Sequence, residues 1–76
     1  MGGDKVEYDY TLLRQKMIEK NLNHSELATR IGMKIATFSN RMNSKNSFKQ
    51  SEIYAICKAL SIPMRQIDRY FFTLKI

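Results

Sequence analysis

The stretch ELATRIGMKIATF, residues 26–38, decides how this chain folds. Leu27, Ile31 and Phe38 are spaced as a buried helical stripe, yet Gly32 interrupts it. In a helix interior a glycine costs about 1 kcal/mol against alanine. The spacing explains it better as a corner. One helix ends at Ile31, Gly32 takes the left-handed position after it, and a second helix resumes near residue 35. Met33 is then an apolar plug between them. Ala28, four residues before the glycine, is small enough to let the two helices approach closely. Phe38 and Met42 give the second helix one buried face. Two short helices joined by a glycine-containing turn make a helix-turn-helix.

Working outward, the pattern predicts three more helices, an N-terminal arm and a C-terminal tail. A helix is expected over roughly 10–20, with Asp9 as N-cap and Leu13, Met17 and Ile18 as its buried stripe. Leu22 plugs the core in the short break after it. The helix over 24–31 has Asn23 as N-cap and Glu26 in capping-box position. After the helix over 35–43, NSKNS (residues 43–47) reads as a loop. A helix over 50–60 carries Ile53, Ile56, Cys57 and Leu60 at i, i+3, i+4 and i+7. Pro63 opens a last short helix with Ile67, Tyr70 and Phe71 on its apolar face. KVEYDY at residues 5–10 alternates like a short strand or an arm packing its aromatics on the core. The C-terminal YFFTLKI is apolar and β-prone. It either pairs across a dimer or folds back on Val6 and Tyr8. The expected architecture is all-α and compact. Residues 1–9 form an arm, 10–70 a five-helix domain with its helix-turn-helix at 24–43, and 71–76 an apolar tail. A short β-strand is allowed at either terminus.

Bulk properties narrow the function. Seventy-six residues make one domain with a small core. One cysteine, Cys57, and one histidine, His24, leave no disulfide framework and no zinc pattern, and Cys57 lies on the core stripe. Paired carboxylates, a Ser/His/Asp set and a phosphate-cradling glycine loop are absent by spacing, so no enzyme, cofactor or small-molecule ligand is expected. No apolar run reaches membrane-spanning length and none precedes a cleavage site. The expected location is cytoplasmic, in a bacterial host or phage-encoded, on the nucleoid. The net charge is +6, and its distribution is informative. No acid lies between Glu26 and Glu52, while that window holds Arg30, Lys34, Arg41, Lys45 and Lys49. Such a confined excess of cations suits a surface that displaces counterions from DNA phosphates.

These residues carry a family resemblance. LNHSELATRIGMKIATFSNRMNSK, residues 22–45, resembles the lambda-repressor/Cro-type helix-turn-helix family, also called the XRE family. The matching features are Glu26-Leu27-Ala28, Gly32, the apolar residue at 33, and Thr37-Phe38-Ser39. IYAICKALSIPMRQID, residues 53–68, is similar to that family's later helices. The resemblance implies a Cro-type, phage or prophage transcriptional repressor. It would occupy a double-stranded operator, an inverted repeat, as a homodimer. It places Lys34, Ile35, Ala36, Thr37 and Asn40 at base edges. His24, Arg41, Asn43, Lys45 and Lys49 are then expected on phosphates. Lys34 and Asn40 have the donors for guanine and adenine, and the others suit thymine methyls. The chain departs from the family pattern at Ile35 and Ala36, where relatives carry glutamines, and at Lys34, where they carry Ser or Thr. Arg41 stands at an often apolar position. The alternative function is a protein-interaction adaptor or antitoxin-like module on the same scaffold, using the tail.

Overall fold

Three of the helices end the same way, and these ends set the fold. After α1 (Thr11–Glu19) the chain turns left-handed at Asn21, after α2 (His24–Arg30) at Gly32, and after α4 (Gln50–Leu60) at Ser61. In each case the next residue is apolar and donates its N–H back five residues. Leu22 reaches the Met17 carbonyl, Met33 that of Ala28 and Ile62 that of Cys57, each at 2.9 Å. These are Schellman ends, which satisfy orphan carbonyls and direct the next side chain inward. Ile62 is buried, and Leu22 and Met33 pack partly buried against the core.

The computed structural model describes residues 7–43 and 46–74. Among them are five α-helices and no sheet. Between α2 and α4 runs α3 (Ile35–Met42). A 3₁₀ turn (Met64–Gln66) follows Pro63 and leads directly into α5 (Ile67–Phe71). The last helix therefore starts as a tighter turn, and the boundary expected before residue 71 falls at the end of α5. The N-cap of α1 is Tyr10, not the expected Asp9, because the helix starts one residue later; Asp9, just before the cap, accepts the Thr11 N–H at 2.9 Å. The Asn23–Glu26 capping box is complete: Glu26 N–H donates to Asn23 Oδ1 at 2.8 Å, and Asn23 N–H to Glu26 Oε1 at 3.0 Å.

Leu13, Leu27, Ala28, Phe38, Met42, Ile56, Cys57 and Leu60 are fully enclosed. Phe48 sits at the centre, though it lies in the loop before α4. Its ring meets Tyr10, Phe38 and Phe71 at 5.5, 6.0 and 5.6 Å, each in an edge-to-face arrangement. One residue of the expected α1 stripe is not in the core: Ile18 is 73% exposed, while Leu13 and Met17 are buried. Positions 13 and 17 are four apart and share a face. Ile18 lies a further 100° round the helix, where no element covers it.

The tail folds back within the chain. Asp9 N–H donates to the Thr73 carbonyl at 2.7 Å, Tyr8 and Leu74 form an antiparallel bridge, and Phe72 meets the Tyr8 ring edge-on at 5.8 Å. Val6 lies outside the described residues. No helix among the described residues is long and apolar enough to cross a membrane.

Candidate nucleic-acid interface

The corner between α2 and α3 is built by Gly32, whose φ is +74°. Gly32 N–H donates to the Thr29 carbonyl and Met33 N–H to that of Ala28, so the turn is closed by two backbone bonds. Lys34, extended at φ −68° and ψ 141°, is the N-cap of α3 and its side chain makes no capping bond. The cap position held by Ser or Thr in the resembling family is thus filled here by backbone alone.

Phe38 and Met42 fix the rotation of α3 by filling the core. The helix consequently presents Lys34, Ile35, Ala36, Asn40 and Asn43 to solvent, with Thr37 half-buried. Of the five residues expected at base edges, Lys34, Ile35, Ala36 and Asn40 are exposed and Thr37 is half-buried; they form a broad strip, with Ile35 at its edge on the side of Phe38 and Met42. Lys49 is also exposed, just before α4.

Two residues expected on phosphates have other partners. Arg41 is locked to Glu52: its Nε donates to Oε1 at 2.7 Å and its Nη2 to Oε2 at 3.1 Å, with both side chains about seven-eighths covered. The same carboxylate accepts the Lys49 N–H at 2.8 Å and so starts α4. Burial pushes the Glu52 carboxyl up. The Arg41 guanidinium and the Lys49 N–H outweigh it, holding the group below its ordinary value. Arg41 thus joins α3 to α4, and its charge is spent inside the fold. His24 lies edge-on against Phe38 at 5.3 Å, with Nδ1 3.5 Å from Ser39 Oγ. Burial, then the nearby Arg14 charge, push its pKa below the ordinary value. Lys45 lies outside the described residues.

Arg14 is the neighbour that sequence reading passed over. It donates from Nη2 to the Met42 carbonyl at 3.2 Å, capping the end of α3 from α1. The only available signal was a lone arginine on a polar helix face, which carries no address.

A family model described as "Protein of unknown function (DUF739)" matches residues 6–74. The chain belongs to that family. This DUF739 domain is also similar to a solved structure, the modulator of repression (MOR) of the temperate bacteriophage TP901-1 from Lactococcus lactis. The two share 32% identity and a TM-score of 0.75, covering 87% of this chain and 89% of that one. No curated protein matches. The DUF739 match spans the arm, all five helices and the returning tail, so arm and tail are part of the family's common unit.

Proposed function

We propose that this DUF739 domain is a phage-type regulator that binds double-stranded DNA through α3 and represses transcription by occupying an operator as a homodimer. The observation that carries the proposal is the orientation of α3. Its core residues, Phe38 and Met42, leave Lys34, Ile35, Ala36 and Asn40 jointly exposed beyond a helix-turn-helix corner. The sequence resemblance to the lambda-repressor/Cro type supports the same docking, with the start of the second helix in the major groove. The likeness to a modulator of repression supports a regulatory role.

In this reading Lys34 and Asn40 donate to purine edges, while Ile35, Ala36 and the Thr37 methyl meet thymine methyls. With only Lys34 and Asn40 carrying amine or amide donors among these five, DNA shape contributes a large share of the preference. Lys49, and Asn43 at the end of α3, hold the backbone. The exposed apolar side chains Tyr54, Met64 and Phe72, near the returned tail, are the surface for a second copy.

The test is selection of random duplexes by the purified chain at near-physiological salt. Enrichment of one inverted repeat, with half-site centres about one helical turn apart, is the expected result. Asn40→Ala should then relax one base position by about 1–3 kcal/mol, and Lys49→Ala should weaken all sequences alike. Recovery of no motif, with purely salt-sensitive binding to every duplex, would remove base readout from the proposal.

A further inference from the structure

Beside the start of α3 lies an open groove of about 540 Å³. Met17 forms part of its floor; Ile18, Leu22 and Ile35 supply its apolar walls, and Arg14 and His24 stand at its edge. Ile18 is 73% and Ile35 49% exposed, two branched aliphatic side chains facing water across one depression. The two side chains leave one apolar depression uncovered beside the start of α3.

From this geometry we infer that the α1–α3 groove receives an amphipathic helix of another protein, acidic along the flanks of its apolar stripe. This goes beyond DNA binding and gives a surface to the protein-interaction alternative, different from the tail first considered for it. The walls are set for a helix. Ile18 and Leu22 are four residues apart and Ile35 faces them from a second element, so apolar side chains at i, i+4 and i+7 of a guest would meet all three.

The sign of the flanks follows from charge. Arg14 lines the groove, Lys34 immediately precedes Ile35, and Lys20 lies between Ile18 and Leu22 in the chain. Of the neighbouring acids, Glu19 pairs with Lys16 at 3.2 Å, and Glu26, which accepts the Asn23 N–H, is outnumbered by these cations. An acidic guest is therefore attracted, and a basic one repelled. A second copy of this chain is disfavoured on the same ground. A two-fold contact through the groove would set Arg14 and Lys34 against themselves between partners of charge +6.

The placement has a regulatory consequence. Ile35 belongs both to the groove and to the strip proposed to face DNA. A helix seated over Ile35 blocks that strip, so the guest and a duplex exclude one another.

The test uses direct binding and no DNA, so its failure and the failure of the DNA reading are distinguishable. A displayed library of helical peptides is selected on the full chain, with counter-selection on Ile18→Asp. Ile18 is a surface residue, and Leu12→Asp, at an exposed apolar site outside the groove lining, serves as control. The expected result is enrichment of net-acidic peptides with apolar residues at i, i+4 and i+7. A synthetic winner should lose at least tenfold in affinity on Ile18→Asp and on Ile35→Asp, and be unchanged on Leu12→Asp. Its amide shift changes should centre on residues 14–25 and 35. Enrichment of basic peptides, binding indifferent to Ile18→Asp, or no enrichment overturns the inference. So does sedimentation showing a dimer that Ile18→Asp dissolves, since the occupant is then a second copy.

Discussion

Substitution of Gly32 tests the corner on which the candidate interface depends. At φ +74° a side chain meets backbone strain, but an added Cβ would have no atom within 4 Å. The cost is therefore conformational and not steric. A left-handed L-residue costs about 1–2 kcal/mol. Removing glycine also restricts the unfolded chain, which returns about 0.4–1 kcal/mol. Gly32→Ala should thus destabilise by about 1 kcal/mol, or about 4–8 °C in Tm for a chain of this size. Gly32→Asn should cost less despite its larger side chain, because asparagine tolerates the left-handed region. Gly32→Val should cost most. The assay is urea unfolding followed by far-UV circular dichroism, with equal m values checked across the series. The order Gly, Asn, Ala, Val is the expected result. If asparagine were worse than alanine, size would govern the site, and the reading of Gly32 as a purely conformational corner would fail.

Ser61→Gly is the mirror image: it relieves the same strain at φ 59° and should raise stability by about 0.5 kcal/mol in the same assay. Phe48→Ala removes the ring shared by three aromatic neighbours and should cost about 3–5 kcal/mol, enough to leave the domain largely unfolded by thermal melting. Arg41→Ala strips the partner from a mostly covered carboxylate and should cost about 1–3 kcal/mol in urea unfolding. Glu52 has a lowered pKa in the folded chain, so its contribution is present above its ordinary value of 4.5 and is lost as pH falls through the folded value; a Glu52→Gln variant should show a flatter acid limb in pH-dependent melting. His24 is also lowered, but as a base it acts in another window. Stability should fall as pH drops through 6.5, where the unfolded ring takes up its proton, and His24→Gln should abolish that step.

The corner, the Asn23–Glu26 box and the α4 stripe were legible because each is a local rule. A left-handed glycine, a side chain reaching three residues, and a 3.6-residue period need no knowledge of the rest of the chain. The α4 boundaries at 50 and 60 agree with the expectation for that reason. Phe48 was not legible. It lies among loop residues, outside any period, and becomes central only because the loop carries it between Tyr10, Phe38 and Phe71. Ile18 failed in the opposite sense. Its apolar character matched the α1 stripe, but Leu13 and Met17 fill the face that meets the core and Ile18 lies beyond it. An apolar side chain at the edge of such a stripe is left in water unless a partner covers it.

Charge shows the same division between local and tertiary information. Counting along the chain, Arg30, Lys34, Arg41, Lys45 and Lys49 form one basic window. In three dimensions Arg41 is withdrawn from it, because the acid that closes the window, Glu52, folds back eleven residues to neutralise it. The two residues lie on different helices across a loop, so no local repeat lets one announce the other. The strip on α3 then depends on Lys34 and the two asparagines more than on a field of cations. That shift makes the candidate DNA face less a polyanion trap and more a shaped, partly apolar surface. In the proposed reading, Ile35 at its edge is shared between the duplex and a protein helix.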